Sequence, residues 1–234
     1  MHRWKVIDGT NRSARRVDAH GLHAGGERAW LVADLNLKRG YMDRFVALRD
    51  ARLEGNVPVV PGLLSFHVNE TVSLMEPFAA IQAAAHAGPL KGLFILCHGA
   101  AGKNERLGIS MDAGGMGLVL GRQNLVHTNV HQWRRIRDIF EFIVVYSCGA
   151  ADTQPGNEGT RADGRYLMGA LALHTNATVY GSNLIQWYDI EPDDSYNFGE
   201  WEGTLLKFEP SGYAPTSVRR APVEFTDVLR GSCV

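Results

Sequence analysis

Residues 92–99 are GLFILCHG, and residues 142–149 are FIVVYSCG. Each stretch is continuously apolar and then ends in a reactive side chain followed by glycine. Continuous apolarity, without alternation of polar and apolar residues, is typical of strands that helices cover on both faces of a parallel sheet. We therefore expect two buried strands of one sheet, with His98 and Cys148 at their carboxyl ends.

Helical and strand patterns alternate around these two stretches. Helices are expected at residues 41–53, 77–87, 130–140 and 166–174, and further strands at residues 30–33, 63–67 and 177–181. Alternating strands and helices predict an α/β fold, with a mostly parallel sheet sandwiched by helices. Two additions to this core are expected: a β-hairpin insertion within residues 106–120, and a C-terminal cover over residues 187–234 that is irregular except for one hairpin across residues 201–208.

Composition narrows the class of protein. The chain has 234 residues, of which 45% are hydrophobic and 21% charged, so it is not a disordered chain. The formal net charge is −1, whereas binders of nucleic acid or of anionic membranes show a basic excess. We expect no nucleic-acid partner, no membrane span and no secretory signal.

Residues 1–28 are polar and are expected to wrap the surface or to be partly mobile. Residues 29–234 are expected to form one domain with its core at residues 92–190.

The three cysteines, Cys97, Cys148 and Cys233, form an odd and sparse set without any CxxC spacing. This excludes a disulfide framework and a zinc site of the paired-cysteine type. Reduced thiols indicate a cytoplasmic protein, or else an effector that is exported without a cleaved signal. The sequence predicts no cofactor and no bound metal.

His98 and Cys148 together indicate nucleophilic chemistry. The carboxyl ends of parallel strands lie at one edge of a sheet, and neighbouring strands are about 4.8 Å apart. A histidine close to a thiol is the usual means of generating a thiolate. The backbone N–H groups of Gly99 and Cys148 are the expected oxyanion-hole donors. A lone cysteine is more often a packing residue, but the paired arrangement favours catalysis over packing.

Residues 92–190 resemble the caspase-like cysteine peptidases of clan CD, in particular bacterial CHAT-type domains. The likeness consists of an apolar strand ending in His98-Gly99, a second one ending in Cys148, a helix, and a strand that leads to the loop Gln186–Asp189. The resemblance implies that Cys148 is the nucleophile and His98 the catalytic histidine, with no third member required. It also implies that the loop containing Trp187 forms a wall of the substrate pocket.

Primary specificity is expected to depend on charged residues near the cysteine. Asp152 and Asp189 are candidate substrate-binding residues, because a carboxylate in the pocket favours Arg or Lys before the cleaved bond. The sequence slightly favours the alternative that both are solvated loop residues. Arg161 and Arg165 are the candidates for a pocket that binds an acidic side chain.

Two functions remain open. The first is a cysteine endopeptidase with a protein or peptide substrate. The second is a catalytically inactive caspase-like interaction or scaffold module, because the sequence contains no clear specificity pocket and no obvious activation linker. An α/β-hydrolase is disfavoured, since the chain contains no GxSxG motif.

Overall fold

The computed structural model describes residues 43–100, 114–212 and 214–231. Within these ranges a seven-stranded central sheet is formed by β1 (Phe45–Asp50), β2 (Leu63–Val68), β3 (Gly92–Leu96), β6 (Phe142–Tyr146), β7 (Thr178–Ser182), β10 (Leu205–Phe208) and β11 (Thr216–Val218). Two smaller two-stranded sheets pair β4 (His98–Ala100) with β5 (Gly117–Val119) and β8 (Asp189–Ile190) with β9 (Tyr196–Asn197). The helices are α1 (Met75–His86), a 3₁₀ helix (Val130–Ile136), α2 (Gly164–Thr175) and α3 (Phe225–Leu229).

The order of strands in the central sheet is β11-β10-β7-β6-β3-β1-β2. The five strands from β7 to β2 are mutually parallel, while β10 and β11 are antiparallel to their neighbours. β3 and β6 lie side by side, with Leu96 opposite Tyr146. The predicted mixed α/β fold with a mostly parallel central sheet is therefore confirmed, and the two stretches that predict it are adjacent strands.

Every residue of β3 is buried, because the sheet is covered on both faces. Leu93 and Ile95 face the layer formed by α1, the 3₁₀ helix and α2, whereas Phe94 and Leu96 face the opposite layer. This second layer consists largely of aromatic side chains from the C-terminal third, including Phe225 of the short α3. The longer helices thus lie on one face, and aromatic loops replace helices over most of the other.

The helix expected at residues 41–53 is wrong, since residues 45–50 form the buried strand β1. Phe45–Leu48 are buried like the residues of β3, so the rule of continuous apolarity applies here as well. The C-terminal cover, expected to be irregular apart from a hairpin across residues 201–208, instead contains strands at Leu205–Phe208 and Thr216–Val218. Residues 205–208 and 216–218 extend the central sheet beyond β7, because Leu205–Phe208 pair with β7 and bury Leu205 and Phe208 on opposite faces.

The hairpin expected within residues 106–120 lies partly outside the described residues, which resume at Gly114. β5 pairs in antiparallel fashion with β4, which begins at His98, so the segment after β3 continues as a strand. The expected strand at residues 30–33, the segment of residues 1–28, residues 101–113 and Cys233 lie outside the described ranges. In the part of the chain that the structure describes, no helix is long and apolar enough to cross a membrane.

Candidate functional site

The ends of β3 and β6 bring His98 and Cys148 to one edge of the sheet. The strand pairing continues one residue beyond β3, where the Cys97 N–H donates to the Tyr146 carbonyl at 3.2 Å. Gly99 then packs directly on the backbone of Cys148: a Cβ placed at Gly99 would lie 2.0 Å from the Cys148 carbonyl oxygen. No side chain fits at position 99, so glycine is what lets the two segments meet.

A backbone carbonyl orients the His98 imidazole. Nε2 of His98 lies 3.0 Å from the carbonyl oxygen of Arg52, in the loop after β1. Because a carbonyl oxygen only accepts hydrogen bonds, this contact places a proton on Nε2. In the neutral ring Nδ1 then carries the lone pair.

The position of the Arg52 carbonyl is fixed by Asp50, the last residue of β1. The Asp50 carboxylate is fully buried and accepts hydrogen bonds from the Arg52 N–H at 3.0 Å, Nε at 2.7 Å and Nη2 at 2.7 Å. It also accepts from the Gly121 N–H at 2.8 Å. The hydrogen bond to Asp50 raises the pKa of Arg52, so the guanidinium group stays charged. Asp50 and Arg52 thus form a brace beneath His98.

The Cys148 thiol is half-buried and donates to the carbonyl oxygen of Gln186 at an Sγ–O distance of 3.8 Å. Burial raises the pKa of this thiol, and the negative charge of Glu202 raises it further. The thiol is therefore neutral at pH 7 in this conformation. Cys97 is a different kind of thiol: it is fully buried among the core residues on the helical face, and burial raises its pKa strongly.

Gly99, one of the two expected oxyanion-hole donors, differs from Gly149 in where its backbone N–H points. Gly99 lies opposite Leu118 in the β4–β5 pair, but both backbone groups of Leu118 bond to Leu125, at 2.8 and 2.9 Å. Because alternate residues of an antiparallel strand direct their backbone groups to opposite sides, the Gly99 N–H points away from β5. The Gly149 N–H is by contrast occupied, since it donates to Leu184 at 2.8 Å.

The expected pocket residues occupy three different settings. Asp152 is buried, and its carboxylate accepts from the Gly114 N–H at 3.0 Å and from Gln154 Nε2 at 2.9 and 3.0 Å, so it braces the loops behind the cysteine. Asp189 is exposed in β8, opposite Asn197. Trp187 is the member brought close to Cys148, because it directly follows the residue whose carbonyl contacts the thiol.

Sequence reasoning misses several residues around the thiol. Glu202 accepts a hydrogen bond from the Trp187 N–H at 3.2 Å. Tyr188 is half-buried, and its pKa is raised to about 12 by burial and by nearby groups that include Glu54 and Cys148. No local pattern marks these residues. They converge because the segment between β7 and β10 folds back over the end of β6.

Comparisons with protein-family models, with curated proteins and with solved structures found no match to this chain. The site is thus interpreted from its own geometry. Among residues 43–100, 114–212 and 214–231, no group of three or more His, Cys, Asp or Glu side chains could hold a metal ion.

Proposed function

We propose that this protein is a cysteine endopeptidase of caspase-like architecture that cleaves peptide bonds through Cys148 and His98. One observation carries the proposal. His98-Gly99 and Cys148 follow adjacent parallel strands and meet so closely at Gly99 that no side chain fits between them. A thiol, an imidazole with a defined basic nitrogen and a directed backbone N–H are the groups that acyl transfer requires.

The reaction follows from these positions. The Cys148 thiol transfers its proton to Nδ1 of His98, and Sγ attacks the carbonyl carbon of the peptide. The N–H groups of Gly99 and Cys148 stabilise the resulting oxyanion. His98 then protonates the departing amine as the C–N bond breaks, which leaves a thioester on Cys148. Water attacks the thioester and gives a proton to His98, which returns it to the sulfur as the acid product leaves.

The conformation in the structure is a resting one. The thiol donates to Gln186 and is kept neutral by burial. A contact of 3.8 Å from sulfur to a carbonyl oxygen is weak, so rotation of the thiol toward His98 costs little. Because only the reduced thiol can attack, we expect the enzyme to work in a reducing compartment such as the cytoplasm.

The test is hydrolysis of a peptide library by the full chain, with products identified by mass spectrometry. We expect cleavage by the wild type and a loss of at least about 10³-fold in Cys148→Ala and in His98→Ala. Circular dichroism and the melting temperature check that both variants fold. Cleavage by Cys148→Ala at the wild-type rate would refute the proposal, as would the absence of cleavage by the wild type.

The second candidate, an inactive interaction module, is favoured by one observation: Cys148 is half-buried, and its burial raises the pKa of the thiol. The two functions differ in how the thiol responds to a peptide electrophile. A peptidyl acyloxymethyl ketone labels Cys148 of a peptidase, and His98→Ala slows that labelling. In an inactive module the labelling is equally slow in both proteins. The buried Cys97 serves as the internal control, since it stays unlabelled in any folded sample.

A further inference from the structure

A cavity of about 750 Å³ lies away from the candidate reaction centre. Asp43 and Lys91, which precede β1 and β3, line it together with residues of β7, β10, β11 and α3. Lys91 and His98 stand before and after β3, so the cavity and the reaction centre are at opposite ends of that strand. Its volume is in the range of about 300–1,000 Å³ that is typical of sites for small ligands.

Tyr180 of β7 offers a hydrogen-bond donor to this cavity. The residue is only 8% exposed, and among the residues that the structure describes its hydroxyl has no hydrogen-bond partner. The hydroxyl is not one of the unpartnered side-chain atoms that are sealed from solvent, so it is open to the cavity that Tyr180 lines. Burial raises the pKa of this phenol, which therefore keeps its proton and can donate it to an acceptor.

Lys207 places a positive charge beside that hydroxyl. It stands opposite Tyr180 in the β7–β10 pair, so the two side chains lie on the same face of the sheet. Lys207 forms an ion pair with Glu209, which does not line the cavity and also accepts from Thr178 at 3.2 Å. Ion pairs between exposed side chains are weak, and an ammonium group has three donors. Lys207 can therefore bind a second anion next to Tyr180.

The other charged residues of the lining neutralise one another. Nζ of Lys91 is 2.5 Å from Oδ2 of Asp43, and Nη2 of Arg220 is 2.6 Å from Oδ2 of Asp227. All four of these residues line the cavity, whereas the carboxylate partner of Lys207 stands outside it. The lining thus has an excess of one positive charge. A ligand with a single negative charge matches it better than a phosphate group with two.

The rest of the lining is apolar. Val218 and Val223 are partly buried against the aromatic layer, and Ala221 is almost fully buried. Pro222 completes this surface. An apolar group that covers these side chains removes hydrocarbon surface from water, which favours binding.

From this lining we infer that the cavity binds a carboxylate attached to an apolar body, with Tyr180 and Lys207 as the residues that hold the carboxylate. The phenol O–H and the ammonium group donate to the two carboxylate oxygens, and the apolar body covers Val218 and Val223. A free carboxylic acid and the C-terminal end of a peptide share this chemistry. The site does not depend on the proposed peptidase function, because it uses none of the residues of that reaction.

The experiment titrates the full chain with phenylbutyrate and follows the backbone amide signals by NMR. We expect saturable shifts at Val218 and Val223, with a Kd in the millimolar range or below. The neutral phenylbutanamide should bind at least about 10-fold more weakly, and the cationic phenylbutylamine should not bind. Equal affinity for the acid and the amide would overturn the inference, as would the absence of saturable shifts at these two residues.

Two substitutions test the residues that hold the carboxylate. Tyr180→Phe removes only the hydroxyl and should weaken phenylbutyrate binding about 5- to 10-fold, whereas Tyr166→Phe, at an exposed tyrosine outside the cavity, should not change it. Lys207→Gln should weaken binding about 10-fold. Its control is Arg137→Gln, which removes the same charge from another exposed ion pair and should leave the affinity unchanged. Circular dichroism checks that every variant folds.

Glu209→Gln should change the affinity in the opposite direction. It removes the carboxylate that competes for Lys207, so phenylbutyrate should bind about 3- to 10-fold more tightly. If the ion pair only held β10 in place, Lys207→Gln and Glu209→Gln would both weaken binding, and that result would overturn the inference. Unchanged affinity in both Tyr180→Phe and Lys207→Gln would do the same.

A parallel titration separates the two sources of the carboxylate. An acetylated peptide that ends in leucine presents its C-terminal carboxylate on a longer chain than phenylbutyrate does. Whichever of the two binds more tightly, with shifts at the same residues, identifies the kind of ligand that the cavity takes. Shifts from both ligands that fall only outside the lining would overturn the site.

Discussion

The brace beneath His98 makes a prediction that separates positioning from stability. Asp50→Asn preserves volume and one oxygen acceptor but presents an NH₂ group to donors. In the wild type four donors converge on that carboxylate: three from Arg52 and the N–H of Gly121. The substitution therefore removes a negative charge that is fully buried. It also places the NH₂ group of the asparagine against the N–H groups that donate to the carboxylate in the wild type.

The size of the effect follows from burial. Breaking a buried ion pair costs about 3–5 kcal/mol, but the Arg52 side chain is 31% exposed and water can solvate it when its partner is lost. We therefore expect the free energy of unfolding to fall by about 2–4 kcal/mol, equivalent to a decrease in melting temperature of roughly 5–15 °C. This leaves most of the protein folded at 25 °C if its stability lies in the usual range.

Activity is the informative measurement. If the Arg52 carbonyl holds His98 in place, kcat falls by about 10²-fold at 25 °C with little change in KM, because the substrate pocket is untouched. The matched control is Asp163→Asn, which alters another buried carboxylate that accepts from Thr153, Gly159 and Tyr166. It should lower the melting temperature while kcat is retained. An Asp50→Asn protein with the expected decrease in melting temperature and wild-type kcat would refute the positioning role.

Three further predictions concern other residues. Gly99→Ala places a Cβ 2.0 Å from the Cys148 carbonyl oxygen and should abolish peptide cleavage. The control is Gly212→Ala, where nothing lies within 4 Å of the added Cβ, and it should leave cleavage intact. Unchanged cleavage in Gly99→Ala would contradict the close approach of the two segments. Because burial raises the pKa of Cys148, the rate of its alkylation without substrate should reach half its maximum at a higher pH than for a cysteine peptide, and a lower midpoint would show an activated resting thiol. Hydrogen bonds from Gly159, Tyr166 and Thr153 lower the pKa of Asp163 against the effect of its burial. Its stabilisation is therefore complete above the unfolded value of about 3.9 and is lost as the pH falls through the folded value, so Asp163→Asn should flatten the acid side of the stability profile measured by urea unfolding.

Sequence reasoning succeeds where a single run of residues carries the information. Leu93–Leu96 and Phe142–Tyr146 are buried on both faces, so their composition alone predicts central strands, and His98 and Cys148 follow from their ends. The adjacency of those two strands is also favoured by their order along the chain. Local sequence patterns therefore predict the two strands and the residues at their ends.

The rest of the site depends on contacts between distant segments. The Arg52 carbonyl contacts His98, 46 residues further along the chain, because β1 lies beside β3 in the sheet. The sequence does not predict β1, because the charged residues at its end, Arg49 and Asp50, are also typical of an exposed helix. Glu202 reaches the Trp187 N–H only because the chain turns back after β7 and adds β10. Neither spacing nor composition identifies these residues, because their contacts depend on the order of the strands in the sheet.

The reaction centre and the loop beside it lie in different parts of the fold, and this affects how mutations can change the protein. The groups proposed for bond cleavage, His98 and Cys148, are held by the hydrogen bonds of β3, β4 and β6. The loop that is expected to form a wall of the substrate pocket, which contains Trp187, lies within residues 183–204, outside the central sheet. In the proposed peptidase, mutations in that segment, apart from those at Gln186, whose carbonyl contacts the thiol, can therefore alter which peptides are cleaved while the strands that hold His98 and Cys148 remain intact.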